Sequence, residues 1–200
     1  MAELLLEQAV VGYPGFRTRP LDLRAGRGVV LLAGENGSGK TTLLRCCAGE
    51  APPLAGRIEI DGLNPHRSHL ARRHVALVPS SPELPDALTV GESWRIAAGL
   101  RGAPGWDGQS MLEALGLPET LPLAHASAGQ KIRCELLCAL AGDPAILLLD
   151  ETFAHLDREA QELLAVWIRQ WADERLVIVS HHGEPPFDYQ DMVTISPEVP

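Results

Sequence analysis

The segment Gly34-Glu35-Asn36-Gly37-Ser38-Gly39-Lys40-Thr41 follows the apolar run Gly28 to Ala33 without a gap and fits the pattern G-x-x-x-x-G-K-[ST] at every position. Such a loop brings backbone close to a polyphosphate. Gly37 and Gly39 permit a tight, partly left-handed path, so that successive N–H groups point inward at an anion. Lys40 adds a mobile positive charge, and Thr41 carries a hydroxyl suited to Mg²⁺. A helix that begins near Lys40 and runs through Thr42-Leu43-Leu44-Arg45-Cys46-Cys47-Ala48 would aim its unpaired N–H groups and positive dipole end at the same phosphates. A glycine-rich turn with a chance lysine is the alternative. The strand before and helix after are the context that favours the phosphate loop, made of residues Gly34 to Thr42.

A second apolar run, Ala145-Ile146-Leu147-Leu148-Leu149, reads as a strand covered on both faces and ends in Asp150-Glu151. Ligands of open α/β sheets bind where such strands end. That puts Asp150 in reach of a Mg²⁺ ion, usually through water, and Glu151 in reach of water attacking a γ-phosphate. Two acidic residues after a strand can also be a solvated loop; their pairing with the Lys40 loop argues for a site.

Between these motifs lies Ala126-Ser127-Ala128-Gly129-Gln130, followed by a helical pattern through Leu140. The order of phosphate loop, Ser-x-Gly-Gln helix start, Asp-Glu strand end and the strand Leu176 to Ser180 before His181 resembles the ATP-binding cassette (ABC) ATPases over nearly the whole chain. In that family the signature, here Ser127, Ala128, Gly129 and Gln130, reaches across a dimer to the γ-phosphate held by the other subunit. Ser127 and Gln130 also read as a capping box, and both readings can hold at once.

The resemblance assigns further positions. Val179-Ser180-His181 is similar to the family's strand-Thr/Ser-His ending, which selects His181 over the adjacent His182 as the histidine at the γ-phosphate. Asp157 matches the acidic position of the D-loop that couples the two sites of a dimer, and it also reads as the N-cap of a helix over Arg158 to Trp171. Tyr13 lies at about the place of the aromatic that stacks on adenine, with turn packing as its alternative. Ser80 departs from the pattern, standing where the family has the glutamine that contacts Mg²⁺ and the attacking water. Its shorter stem implies either a water in the gap with slower hydrolysis or weaker coupling to the helical subdomain. Ala126, Ala128 and Thr152 also depart from the usual residues, with little consequence.

Two hundred residues, 46% of them hydrophobic, suffice for one α/β core. The longest apolar runs are strand-sized and the start lacks a basic segment, which predicts a chain neither secreted nor membrane-spanning. Seventeen Lys and Arg against 26 Asp and Glu give a net charge of −9, the opposite of what a nucleic-acid-binding protein shows, so no nucleic acid is expected. Cys46-Cys47, Cys134 and Cys138 lack the spacing of a metal site and read as reduced thiols, the i, i+4 pair lying in the core.

The expected fold is α/β: a P-loop NTPase (RecA-like) parallel sheet with an antiparallel β layer and an inserted helical subdomain. Residues 1–200 form one ATP-binding domain, with the helical part at about 83–140. Glu3 to Val10 and Leu21 to Leu23 read as antiparallel edge strands, with Arg57 to Ile60 as a third. Helices are expected over Val90 to Leu100 and Gly108 to Leu115. The resemblance implies an ATP-hydrolysing subunit of an ABC transporter, using ATP and Mg²⁺. It would act with a second ATPase subunit, as homodimer or heterodimer, and with a separate transmembrane permease subunit, in the cytoplasm against the inner or plasma membrane. The short length, the Ser-Ala-Gly-Gln signature and Phe153 are similar to the haem-exporter ATPases. Competing readings are a hydrolysis-impaired regulatory cassette, a soluble ABC ATPase and a small nucleotide kinase. The chain lacks the charged linker or coiled-coil insertion of the soluble ABC proteins, and the Arg-rich lid of the kinases.

Overall fold

Strands apolar at every position are stable only with both faces covered, and this requirement organises the molecule. The computed structural model describes residues 2–198. In chain order, β1 (Leu4–Val10), the hairpin β2 (Gly12–Tyr13) and β3 (Phe16–Arg17), and β4 (Leu21–Ala25) precede β5 (Gly28–Ala33), which leads through the glycine-rich loop into α1 (Lys40–Ala48). Then come β6 (Ala55–Ile60), α2 (His69–Arg73) and β7 (Val75–Val78). Three helices follow, α3 (Val90–Leu100), α4 (Gln109–Ala114) and α5 (Ala128–Leu140). The chain closes with β8 (Ile146–Asp150), α6 (Arg158–Ala172), β9 (Leu176–Ser180) and β10 (Asp191–Thr194).

Five strands form a parallel sheet in the order β10-β5-β9-β8-β7. Because side chains alternate across a sheet, its apolar strands feed two separate cores. Val29, Leu31, Leu147, Leu149, Val177 and Val179 pack with α3, α4, α5 and α6. Val30, Leu32, Ile146, Leu148, Leu176 and Ile178 pack with α1 and with the antiparallel strands through Leu4, Leu6, Leu23 and Ile58. All four cysteines are buried and free; Cys46 and Cys47 belong to the second core, Cys134 and Cys138 to the first.

The antiparallel layer corrects one expectation. β1 is not an edge but the centre of the order β4-β1-β6, pairing Leu4 with both Ala25 and Ile60. A bulge with Gln8 at φ 47° shifts the register and keeps Ala9 buried beside Leu4 and Leu6. β10 has no counterpart in the sequence reading. Of its four residues only Val193 is buried, so no alternation marks it.

In the helical part, α3 and α5 start with full capping boxes, Thr89 with Glu92 and Ser127 with Gln130. Trp94 is buried there, edge-on to Trp106 at 5.7 Å. The topology puts the β5–α1 loop, the β8 end and the β9 end side by side, since Asp150 pairs with Ser180 and Leu32 with Ser180 in the register.

Candidate functional site

The glycine-rich loop turns into α1 at Gly39, whose φ of 107° and close approach to Thr18, where a Cβ would meet Cγ2 at 2.7 Å, require glycine. Gly37, at φ 76°, faces open space. No side chain caps the N-terminus of α1, so its first N–H groups are free for an anion. The Lys40 side chain is only 6% exposed, and its ammonium donates to the carbonyls of Gly34 (2.8 Å) and Glu35 (3.1 Å), with Glu151 Oε1 at 3.5 Å.

Asp150 is 1% exposed, and each of its oxygens accepts a hydroxyl: Oδ2 from Thr41 at 2.8 Å, Oδ1 from Ser180 at 2.7 Å. Ser180 in turn accepts the Glu151 N–H at 2.9 Å. Ser180 escaped the sequence reading as a site residue because a serine at a strand end carries no signal by itself. Glu151 adopts φ 48°, ψ 26°, a left-handed conformation at the start of a 3₁₀ turn over Thr152–His155. A non-glycine residue held there carries local strain, a feature concentrated at functional sites.

The two histidines lie in different surroundings. His182 Nε2 lies 2.9 Å from Glu151 Oε1 and lines the loop cleft. His181 instead packs edge-on against Phe153 at 5.6 Å and Phe187 at 6.2 Å. Burial holds its pKa below the ordinary 6.5, only partly offset by the Glu151 charge. Strand alternation is the cause: odd-numbered Val177 and Val179 face the helical core that contains Phe153 and Phe187, and His181 continues that side. His182 falls on the side of Ser180 and the loop.

A cleft of about 180 Å³ is lined by Asn36 to Thr42, by Glu151 and His182, and by Tyr13 and Phe16. Tyr13 stacks on Phe16 with ring centres 5.2 Å apart and is 60% exposed, so the β2–β3 hairpin presents an aromatic platform at the mouth. Phe16 was missed in the sequence; the signal was the aromatic pair flanking Pro14-Gly15. Ser127, Ala128, Gly129 and Gln130 lie outside this cleft. Their capping box is formed, Gln130 N donating to Ser127 Oγ at 3.2 Å and Ser127 N to Gln130 Oε1 at 2.9 Å, with Ser127 and Ala128 exposed. Asp157 caps α6 through Ala160 N at 2.9 Å, also away from the cleft, and half-buried Ser80 does not line it.

This donor set fits a nucleoside triphosphate with Mg²⁺. Free helix-terminal N–H groups, a buried ammonium and the partnerless Ser38 hydroxyl suit phosphate oxygens. The Thr41 hydroxyl and Asp150 carboxylate are the hard oxygen ligands Mg²⁺ takes alongside phosphates. Among the described residues no group of three or more His, Cys, Asp or Glu forms a metal cage, and a Mg²⁺ shared with substrate needs none.

Residues 18–154 match the family model described as ABC transporter. The chain belongs to the ABC transporter family. It is 37% identical over 191 residues to the sulfate/thiosulfate import ATP-binding protein CysA of Yersinia pseudotuberculosis, covering 88% of this chain and 52% of that protein. The Escherichia coli K12 protein of the same name is 36% identical over 190 residues, with 88% and 51% covered. This ABC chain thus spans about half the length of these relatives. Among solved structures, an ATP-binding subunit of an ABC transporter superposes with TM-score 0.84 at 26% identity, covering 96% of this chain and 85% of that one. A bacterial Atm1-family ABC exporter with ATP bound shares the fold, at TM-score 0.83 and 23% identity over 98% of this chain and 37% of that one. ABC membership implies ATP binding, and the α/β P-loop NTPase architecture agrees with these neighbours.

Proposed function

We propose that this chain binds and hydrolyses ATP as the energy-coupling subunit of a transporter. The convergence of Lys40, Thr41 and Glu151 on one cleft, with Asp150 buried and bonded to Thr41, from two strand ends more than a hundred residues apart, is the observation that carries the reading. Lys40 and the α1 N-terminus hold the β- and γ-phosphates, and the Tyr13–Phe16 platform takes the base. Bound Mg²⁺, held from Thr41 and Asp150, would neutralise phosphate charge. Glu151 orients and polarises the attacking water, and His182, beside its carboxylate, takes the γ-phosphate role expected of His181.

In this proposal residues 1–200 act as one ATP-binding domain with a helical subdomain at about 83–140. The exposed signature Ser127 to Gln130 lies away from the chain's own cleft, which supports a role on a second ATPase subunit's nucleotide. Asp157 would sit between the two sites, and Ser80 would take the place of the glutamine that contacts Mg²⁺ and the attacking water. Among the described residues no helix is long and apolar enough to cross a membrane; in this proposal the chain works at the cytoplasmic face of the membrane, with a separate transmembrane permease subunit. The relatives named above are importers of sulfate or thiosulfate by name; haem export has no support among them.

The test is steady-state ATP turnover with Mg²⁺. Glu151→Gln is expected to lower kcat by about 10²–10⁴ with ATP still bound. Equal turnover in the variant and the wild type would contradict the assignment.

A further inference from the structure

Glu135 is a carboxylate placed where α5 is otherwise apolar. It is 8% exposed, flanked on its helix by Cys134, Leu136 and Leu137, all buried. Burying a carboxylate is costly unless strong hydrogen bonds compensate, and this one has two. Its Oε1 accepts the backbone N–H groups of Glu83 at 2.6 Å and of Leu84 at 3.0 Å. Burial raises the Glu135 pKa, and the two amides work against that rise.

The segment so held starts three residues after Ser80 and is stiffened by Pro82 and Pro85 on either side of Glu83-Leu84. It has two more anchors. The Glu83 carboxylate accepts from Arg45 Nη2 at 2.7 Å, and Arg45 lies in the last turn of α1, the helix that Lys40 begins. Asp86 pairs with Lys131, one turn before Glu135 on α5. Residues 83–86 therefore bridge the phosphate-loop helix and the helix that Ser127 caps.

We infer that Glu135 is a positioning residue, latching the segment after Ser80 to α5 and, through Glu83 and Arg45, to α1, so that the signature end of α5 is held in register with the phosphate loop. This rests on the proposed ATPase reading. A side chain with a fixed, charge-assisted grip on two amides supplies here a link between the two halves that the short hydroxyl of Ser80 is poorly shaped to supply.

The experiment compares ATP turnover and nucleotide affinity in the wild type, Glu135→Ala and Glu135→Gln. Displacements of about 1 Å can cost about a hundredfold in rate, so Glu135→Ala should lose about tenfold or more in kcat while Kd for Mg-ATP stays within about twofold. Glu135→Gln keeps an acceptor oxygen for both amides and should keep kcat within about threefold of the wild type. Wild-type kcat in Glu135→Ala overturns the inference. So does a parallel loss of kcat and affinity in both variants, which would mark a damaged helix. Amide exchange supplies a second measurement, valid even if Glu135→Ala folds poorly: Glu135→Gln keeps the acceptor oxygen but loses the charge that strengthens its grip, so the Glu83 and Leu84 amides should exchange faster than in the wild type, and unchanged exchange overturns the charge-assisted latch. A wild type that binds Mg-ATP without any turnover would count against the ATPase reading alone, and the exchange result would then decide on the latch.

Discussion

Thr41 donates its hydroxyl to Asp150 Oδ2 at 2.8 Å across 109 residues of sequence. The contact joins the first turn of α1 to the end of β8, and Ser180 closes the arrangement from β9 by donating to the other oxygen at 2.7 Å. Three chain segments are thereby registered on one buried carboxylate, and the residues beside them inherit defined positions: Lys40 next to Thr41, Glu151 after Asp150, His182 two past Ser180.

The two histidines give the sharpest kinetic test. His182 approaches Glu151 at 2.9 Å, whereas His181 lies among Phe153 and Phe187. His182→Ala is expected to lower kcat by about tenfold to a hundredfold, the lower part of the range for a positioned acid–base group. His181→Ala should change it by less than about threefold. Steady-state kinetics of the two variants check this, and the reverse order would restore the assignment read from the sequence.

His181 should instead govern stability against pH. Its folded pKa is lowered below 6.5 by burial, so near and below that pH the unfolded chain binds more protons than the native one. The sign follows: its contribution is fully present above about pH 6.5 and is lost as pH falls below it. Urea midpoints between about pH 5 and 7.5 should rise with pH less steeply in His181→Gln than in the wild type. Identical slopes would show that His181 titrates as it does in the unfolded chain.

What the sequence disclosed and what it hid have physical causes. The strands at 28–33, 146–150 and 176–180 were legible because a sheet covered on both faces leaves unbroken apolar runs. The phosphate loop and the Ser127–Gln130 capping box were legible because backbone conformation and orphan N–H groups demand particular residues at fixed spacing. The central position of β1 was not legible, since its pairing on both sides is a long-range choice and its alternation is broken at Gln8. The different surroundings of His181 and His182 depend on a strand phase that adjacent identical residues conceal. Glu135 lay hidden in a helical pattern where one acidic residue reads as surface.

Association should follow nucleotide. Ser127 and Gly129 lie outside the cleft of their own chain, so phosphate held at Lys40 can meet them only on a second copy. Binding that occurs in the dimer alone shifts association by mass action. Light scattering on Glu151→Gln is expected to show monomer without nucleotide and dimer with Mg-ATP. A monomer under both conditions contradicts a homodimer and points to a different cassette as partner.

The loop at Lys40 is expected to hold Mg-ATP. Calorimetry of the wild type and Lys40→Ala with Mg-ATP checks this. Removing the ammonium that lies buried in the cleft should weaken binding by at least about 1.5–3 kcal/mol, the scale of a hydrogen bond to a charged group, or about tenfold to a hundredfold in Kd. Equal affinity in the two proteins would contradict the account.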